Sequence, residues 1–225
     1  MNRFKSFGEY LDSIIDRDPA VNSRYEVMIC HPCVFSIASH RLNHALYHKG
    51  YKVTARFLSQ ISRFLTGIEI HPGAKIKENL FIDHGMGVVI GETAEIGRNV
   101  TIYQGVTLGG TGKDTGKRHP TIGNDVMISA GARVLGPLKI GDRSKIGAGS
   151  VVLKDIPSDS TAVGIPARVV RKRNVKIHAI RRANEFADLD QINIPDPLEK
   201  ELESMKEKIR MLEERLDSFD ERKAI

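Results

Sequence analysis

The chain has 225 residues, enough for one large domain or two small ones. Hydrophobic residues make up 40%, aromatic residues only 6%, and 20 residues are Gly, which favours repetitive β structure over a helical bundle. The net charge of +6 suits an anionic partner, but we find no nucleic-acid-binding signature, and no apolar run reaches the roughly 18 residues of a membrane span. Residues 1–19 lack the apolar stretch of a signal peptide, so we expect a cytoplasmic protein.

Residues 1–66 are predicted to form a small helical cap over one end of a larger domain. Apolar side chains recur there at helical spacing: Ile37, Leu42, Leu46, Phe57, Leu58, Ile61, Phe64 and Leu65.

Two cysteines and three histidines in this region raise the question of a metal or redox site. Cys30 and Cys33 form a Cys-His-Pro-Cys sequence, and His40, His44 and His48 follow one helical turn apart. Together they are compatible with zinc. The gap to the first histidine is short for a zinc finger, however, and the βαβ context of redox motifs is absent. We interpret the set as buried thiols beside core or solvated histidines, and expect no metal.

Between residues 70 and 152 an aliphatic residue returns every six positions. The positions are Ile70, Ile76, Ile82, Ile90, Ile96, Ile102, Leu108, Ile122, Ile128, Val134, Ile140, Ile146 and Val152. This period fits neither a helix nor a simple strand, but it fits a triangular coil with one short strand and one corner per hexapeptide. We therefore predict a left-handed parallel β-helix over residues 67–170, in a mainly β fold with roughly five coils. Gly follows six of these positions, and we expect it to allow positive φ at the corners.

The phase of the repeat breaks twice. Ile82 and Ile90 are eight residues apart, and Leu108 and Ile122 are fourteen apart. The second insertion, from Gly109 to Thr121, should leave the prism as a loop. Loops on a rigid scaffold commonly carry function.

The last segment, residues 171–225, is predicted to be a tail that ends in a helix. Residues 174–197 read as irregular because Pro195 and Pro197 interrupt them. Beyond them lies a heptad pattern over residues 198–219, typical of a coiled coil: Leu198, Leu202, Met205, Ile209, Leu212, Leu216 and Phe219.

Polar residues at the two phase breaks suggest acyl transfer. Transfer to a hydroxyl needs a general base, a carboxylate that orients it and donors for the oxyanion. An amino-acid acceptor also needs a cation for its carboxylate and an anion for its ammonium. The residues that suit these roles are His84, Glu69, the Gly110 backbone, Arg118 and Asp83. Spacing alone leaves open that Asp83 and His84 are merely a structural pair.

Four sequence blocks resemble the serine O-acetyltransferase family. They are Ile-His-Pro-Gly-Ala-Lys-Ile from Ile70, Ile-Asp-His-Gly-Met-Gly-Val-Val-Ile-Gly-Glu-Thr from Ile82, Gly-Val-Thr-Leu-Gly-Gly-Thr-Gly-Lys from Gly105 and Arg-His-Pro-Thr-Ile-Gly from Arg118. The resemblance runs from about Asp16 to Arg168. It implies that the chain transfers acetyl from acetyl-CoA to the hydroxyl of L-serine.

The resemblance also implies roles for individual residues. It makes His84 the base and Gly110 an oxyanion donor, and it puts Glu69 where many members have an Asp that orients the base. It assigns serine binding to four residues: Asp18 and Asp83 for the ammonium, Arg118 for the carboxylate, and His119 beside it. It assigns acetyl-CoA to Thr111, Ala130, Lys145 and Ala148.

Partners follow from the same resemblance. The family forms trimers with active sites between neighbouring prisms, often paired into dimers of trimers, so we expect a homotrimer or a dimer of trimers. L-cysteine is expected as a feedback inhibitor in the serine site. The chain ends in Ile225, and a C-terminal Ile in this family commonly enters the active site of O-acetylserine sulfhydrylase.

Three other interpretations fit the hexapeptide fold. An O-acetyltransferase for a sugar hydroxyl would not need paired anchors for an ammonium and a carboxylate. A zinc-dependent carbonic anhydrase needs three prism histidines, and His71, His84 and His119 lack its usual spacing. A non-catalytic scaffold would not explain the Asp83-His84 pair or the long loop.

Overall fold

The computed structural model describes residues 3–112, 115–172, 202 and 205–212. Residues 1–194 and 195–225 are two separate compact units. The first unit begins with four helices: α1 (Arg3–Ile15), α2 (Arg24–Cys30), α3 (Pro32–His48) and α4 (Lys52–Thr66). No helix in the described ranges combines the length and hydropathy that a membrane crossing requires. The predicted boundary near residue 66 falls directly after α4, and the division into three domains stays a prediction.

Within the described residues, fifteen short strands follow the helices. They are β1 (Glu69–Ile70), β2 (Lys75–Ile76), β3 (Phe81–Ile82), β4 (Val89–Ile90), β5 (Glu95–Ile96), β6 (Thr101–Ile102), β7 (Thr107–Gly109), β8 (Thr121–Ile122), β9 (Met127–Ile128), β10 (Arg133–Leu135), β11 (Lys139–Ile140), β12 (Lys145–Ile146), β13 (Val151–Val152), β14 (Ser160–Gly164) and β15 (Ala167–Lys172). Three sheets divide them: face 1 holds β1, β4, β7, β10 and β13, face 2 holds β2, β5, β8 and β11, and face 3 holds β3, β6, β9, β12, β14 and β15.

Up to β13, each face is built from every third strand, and neighbouring strands on a face are parallel. Ile70 pairs with Ile90, and Leu108 pairs with both Ile90 and Val134, so aliphatic residues of successive coils stack on each other. The predicted left-handed parallel β-helix is confirmed. The antiparallel hairpin of β14 and β15 ends face 3.

The predicted aliphatic positions form the core of the prism. All thirteen lie in strands, and all except the half-buried Ile76 are buried. The small residues two positions earlier are buried as well, for example Ala94, Val126 and Ala132. The six-residue period therefore predicted both the strands and their inward side chains.

The reason given for the glycines after the aliphatic positions was wrong. Positive φ occurs instead at other corner residues, such as Asn99, Gly105 and Asp125, whereas Gly97 and Gly123 have none. A Cβ on Gly97 would overlap the backbone of Gly123 in the next coil. These glycines are needed because successive coils approach too closely for a side chain, not because the corner needs positive φ.

The helical region is confirmed, but much of its predicted apolar set faces outward. Helix α4 buries its small residues Ala55, Ser59, Ser62 and Thr66. Val34 and Ile37 of α3 are buried, but eight large apolar side chains of α3, α4 and the turn between them are exposed in the single chain: Phe35, Leu42, Tyr51, Val53, Phe57, Ile61, Phe64 and Leu65. We call these eight side chains the apolar cap surface. A surface of this kind is typical of an interface with another chain.

The Cys-His-Pro-Cys segment joins α2 to α3. Cys33 is buried, as expected, and burial raises its pKa to about 11. Cys30 is exposed, so the prediction that both thiols are buried was wrong for this residue. The described residues include no group of three His, Cys, Asp or Glu side chains arranged to hold a metal.

Acid should destabilise the folded state through His40. Its pKa falls to about 4 because burial disfavours the charged ring, whereas the ordinary value is 6.5. Below the ordinary value the unfolded chain binds more protons than the folded chain. The stabilisation of the folded state by the neutral His40 ring is therefore complete above roughly pH 6.5. It is lost progressively as the pH falls to roughly 4, and the total loss is on the order of 3 kcal/mol. Urea unfolding at fixed protein concentration across this window measures the loss.

A matched pair of variants isolates this effect from the titration of carboxylates. His40→Asn removes the buried titrating ring and should flatten the dependence of the unfolding free energy on pH. His48→Asn changes an exposed ring on the same helix and should leave the wild-type dependence unchanged. An unchanged slope in His40→Asn would rule out this source of acid sensitivity.

The C-terminal heptad pattern is described only in part. Residues 205–212 are helical, and Met205, Ile209 and Leu212 are exposed in the single chain. This exposure fits a seam that another helix would cover. The irregular segment 174–197 and the heptad residues Leu198, Leu216 and Phe219 lie outside the described residues, as does Ile225.

Candidate active site

His84 lies at the corner where β3 of face 3 leads into β4 of face 1. His84 has a φ of 57° and Gly85 has a φ of 65°, so two successive residues adopt the left-handed conformation. This conformation turns the chain sharply and leaves 75% of the His84 side chain exposed. At Gly85 a Cβ would also press on the buried side chain of Ile68. The corner thus presents an imidazole to the outside of the prism, where a substrate can reach it.

One carboxylate contacts this imidazole, and a second carboxylate lies near the first. The Asp83 carboxylate lies 3.8 Å from Nε2 of His84, and Asp18 lies 3.6 Å from Nε2 of His31. Burial raises the pKa of Asp83, and the nearby negative charge of Asp18 raises it further. A cation between two such carboxylates would relieve their repulsion. The pair therefore suits a substrate ammonium group.

Arg17 fixes Asp18 beside the prism. Its buried guanidinium donates to the carbonyl oxygens of Ser13 at 2.7 Å and Asn79 at 3.2 Å, and lies 5.0 Å from the centre of the Phe81 ring. Burial lowers the pKa of Arg17 to about 10. Sequence reasoning missed this residue because its partners are far away along the chain. These contacts hold the turn after α1, and with it Asp18, against the first coil.

Glu69 lies on β1, one coil below His84, and its ion pairs point toward α4. Its carboxylate contacts Arg56 at 3.1 Å and Arg63 at 3.3 Å. Within the described residues it makes no hydrogen bond or ion pair with His84. The expectation that Glu69 orients the base stays a prediction.

A second group of predicted residues lies where face 1 leads into face 2. Thr93 holds the end of the long loop in place, because its hydroxyl oxygen accepts hydrogen bonds from the backbone N–H groups of Arg118 at 3.0 Å and His119 at 3.1 Å. The Arg118 guanidinium contacts the Glu92 carboxylate at 2.5 Å. These contacts pull the end of the long loop back onto the prism, so a cation and an imidazole lie side by side.

The environment of His119 favours a neutral ring. Burial lowers its pKa, and the positive charge of Arg118 lowers it further. The N–H of Thr93 donates to Nδ1 at 3.2 Å, which assigns the ring proton to Nε2. A Cβ on Gly91 would overlap this ring, and a Cβ on Gly110 would lie 3.1 Å from Nε2. Gly91 is therefore required to make room for His119, and Gly110 leaves little space beside the ring.

The residues predicted for acetyl-CoA divide between the same two places. Ala130 and Ala148 lie at the same corner as His84, in two successive coils above it. The N–H of Gly149 joins these two coils by donating to the carbonyl of Ala130 at 2.8 Å. Lys145 lies nearby on β12 of face 3. Thr111 belongs to the long loop, beside Gly110. The corner holds small residues in these two upper coils, Ser129-Ala130-Gly131 and Gly147-Ala148-Gly149, whereas Tyr103 and Gln104 occupy it in the coil directly above the base.

The predicted site residues thus fall on two different edges of one prism. The base edge, between faces 3 and 1, carries His84, Asp83, Ala130 and Ala148, with Asp18 packed against it. The clamp edge, between faces 1 and 2, carries Gly110, Thr111, Arg118 and His119. A whole hexapeptide strand separates the two edges in every coil. One chain alone does not bring the base and the carboxylate clamp together.

Comparison with known proteins adds three kinds of match. Residues 119–154 match the family model of bacterial transferase hexapeptide, six repeats. The serine acetyltransferase of Bacillus subtilis is 52% identical over 219 residues, which are 97% of this chain and 97% of that protein. The serine acetyltransferase of Synechococcus elongatus is 47% identical over 96% of this chain and 85% of that protein.

Solved structures of the same kind of enzyme have the same fold. Neisseria gonorrhoeae serine acetyltransferase in complex with serine has a TM-score of 0.71 at 44% identity, over 74% of this chain and 68% of that chain. The Brucella abortus enzyme in complex with coenzyme A has the same TM-score and identity, over 73% and 66%. A serine acetyltransferase in complex with cysteine has a TM-score of 0.71 at 41% identity, over 73% and 64%.

Proposed function

This chain belongs to the serine acetyltransferase family, and we propose that it builds each active site from the base edge of one subunit and the clamp edge of its neighbour. The enzyme transfers the acetyl group of acetyl-CoA to the hydroxyl of L-serine, giving O-acetyl-L-serine and CoA. Acetyl-CoA is the co-substrate. The residue roles below are proposals that rest on the geometry of the two edges.

The proposed reaction needs groups from both edges. His84 accepts the proton of the serine hydroxyl while the oxygen attacks the thioester carbon. Asp18 and Asp83 hold the ammonium beside it. From the other edge Arg118 pairs with the carboxylate, with His119 next to it, and the N–H of Gly110 stabilises the oxyanion. The proton then passes from His84 to the departing CoA thiolate.

The observation that carries this proposal is the separation of His84 and Arg118 onto different edges. In a cyclic trimer the interface is head-to-tail, so one edge of each prism meets a different edge of the next. The predicted acetyl-CoA residues divide in the same way, with Thr111 on the clamp edge and Ala148 on the base edge. Three equivalent sites then lie between three prisms.

Mixing two inactive variants tests this arrangement directly. Every mixed trimer contains both His84→Ala and Arg118→Ala chains, so exactly one of its three sites combines an intact base with an intact clamp. Activity should therefore recover to about a third of the wild-type value. The chains are refolded together with different affinity tags, and mixed trimers are isolated by both tags before assay.

Each variant refolded alone is the control and should stay inactive. Mixed trimers that are no more active than the separate variants would place base and clamp in the same chain. Isolation by both tags ensures that failed exchange of subunits is not mistaken for that result.

The acceptor is tested by measuring thiol release from acetyl-CoA. L-serine should support rapid release, whereas a sugar or water should not. L-serinamide, which keeps the ammonium and hydroxyl but lacks the carboxylate, should be a much poorer acceptor. Faster release with a sugar than with L-serine would contradict the proposed site.

Assembly and ligands beyond the substrates are further proposals. The apolar cap surface supports pairing of two trimers, and the exposed seam of residues 205–212 supports helix pairing among subunits. L-cysteine is proposed as an inhibitor because it carries the same ammonium and carboxylate as serine. A cytoplasmic location stays a prediction.

The sulfhydrylase partner is proposed to bind Ile225. A carboxylate captured by backbone N–H groups, with an aliphatic side chain in a pocket, is a recurring mode of recognition. Deleting Ile225 should weaken the complex with O-acetylserine sulfhydrylase by about tenfold or more, while acetyltransferase activity stays normal. Titration calorimetry with the purified sulfhydrylase measures this change.

A second variant separates the side chain from the terminal carboxylate. Appending one Gly after Ile225 keeps the aliphatic side chain but displaces the carboxylate, so it should weaken the complex as well. Exchanging Ala224 for Ser changes neither feature and serves as the control. Equal affinity for all four proteins would exclude this mode of binding.

A further inference from the structure

A tyrosine of the helical cap reaches the clamp edge. The hydroxyl of Tyr47, near the end of α3, donates to Oε1 of Glu92 at 2.9 Å. The other oxygen of that carboxylate, Oε2, accepts from Arg118 at 2.5 Å. The three side chains come from α3, the corner after β4 and the end of the long loop. They form one continuous chain of hydrogen bonds.

The contacts of Tyr47 and Glu92 fit a charge-assisted pair. The hydrogen bond from Tyr47 is the largest cause that lowers the pKa of Glu92, followed by that from Arg118. The same bond raises the pKa of Tyr47. Glu92 is therefore an anion and Tyr47 a neutral donor over the physiological range. The His71 ring stacks edge-on against Tyr47, with 5.6 Å between centroids, and restricts the phenol.

The two oxygens of the Glu92 carboxylate bind different partners, and this affects how Arg118 is held. A guanidinium and a free carboxylate tend to form two parallel hydrogen bonds. Tyr47 engages Oε1, and Glu92 holds Arg118 through one nitrogen only. Within the described residues the Arg118 side chain makes no other hydrogen bond, so its remaining N–H groups are available to a second carboxylate.

We propose that Tyr47 is a positioning residue that keeps Glu92 from binding both sides of Arg118 and so preserves the affinity for the serine carboxylate. The inference rests on the proposed role of Arg118. Without the hydroxyl, Oε1 of Glu92 turns to the second guanidinium nitrogen and competes with the substrate. The cap thereby influences the choice of acceptor, although Tyr47 itself does not touch the reacting atoms.

Replacing Tyr47 with Phe removes one hydroxyl and keeps the ring. The KM for serine should rise about three- to tenfold, the usual worth of one hydrogen bond, while kcat and the KM for acetyl-CoA stay within twofold. The melting temperature should remain at the wild-type value. Tyr25→Phe, at an exposed tyrosine of the helical cap outside the apolar cap surface, should change none of these quantities.

A double-mutant cycle separates this inference from the proposed function. In an Arg118→Ala background, Tyr47→Phe should have no further effect on kcat/KM for serine, because its target is gone. If Arg118→Ala impairs serine but Tyr47→Phe does not, only the positioning role is wrong. If Arg118→Ala affects both substrates equally, the clamp itself is wrong. A lower melting temperature with an unchanged KM for serine would assign Tyr47 to anchoring the cap instead.

Discussion

The His84→Ala enzyme is expected to lose roughly 10²- to 10⁴-fold in kcat, the usual contribution of a general base. The effect should be large because His84 lies on an exposed corner beside Asp83, whereas the nearby imidazole of His31 contacts Asp18 instead. The KM for serine should change little, since the ammonium and carboxylate anchors are separate residues. Steady-state thiol release from acetyl-CoA at saturating serine measures the loss.

Two controls show that such a loss is chemical. The side chain is exposed, so the melting temperature of the variant should match the wild type. His84→Gln keeps a polar side chain but has no titrating nitrogen, and it should be as inactive as His84→Ala. A folded His84→Ala enzyme with near-normal turnover would disprove the assignment of the base.

The prism could be predicted from sequence because each coil repeats one local rule. A buried aliphatic residue every six positions specifies a strand whose side chain points inward, and neighbouring coils reinforce it. Ile96 and Ile122 satisfy this rule although 26 residues separate them. The glycines illustrate its limit. The sequence shows that residue 97 is a glycine but not why. The reason is that the backbone of Gly123, one coil above, leaves no room for a side chain, and this is seen only in the three-dimensional structure.

The helical cap was predicted less completely. Helical spacing revealed α3 and α4 but did not show which face meets the prism. Tight packing between these helices uses small residues such as Ala55 and Ser59, which carry little hydrophobic signal. The most hydrophobic stripe, including Phe57 and Phe64, is left on the surface of the single chain. An interface between chains and a core have the same composition, so one sequence does not distinguish them.

In the candidate site, too, contacts between sequence neighbours could be predicted and contacts between distant residues could not. Asp83 and His84 are adjacent in sequence, so their proximity was evident. The contacts of Arg118 were not, because Glu92 is 26 residues away and belongs to another coil. Sequence reasoning also gave Glu69 a single role, whereas the structure gives its carboxylate two arginine partners on α4. Long-range polar contacts of this kind leave no periodic signal.

The Arg118→Ala enzyme is expected to lose roughly 30- to 1,000-fold in kcat/KM for serine, as expected when one partner of a desolvated charge pair is truncated. The KM for acetyl-CoA should change by less than threefold. The loss has two parts: the serine carboxylate has no counterion, and the negative charge of Glu92 then faces that carboxylate without compensation. Initial rates with each substrate varied in turn separate the two constants.

Arg118→Lys is the matched control for charge alone. A lysine keeps the positive charge but cannot hold Glu92 and a second carboxylate in the planar geometry of a guanidinium, so it should recover only part of the loss. L-cysteine provides an independent measurement in the same variants. In the wild type it should compete with serine, because both molecules carry the same charged anchors. Its inhibition constant should rise in Arg118→Ala in parallel with the KM for serine. Cysteine that inhibits Arg118→Ala as strongly as the wild type must bind elsewhere, whereas equal losses for serine and acetyl-CoA would give Arg118 a structural role.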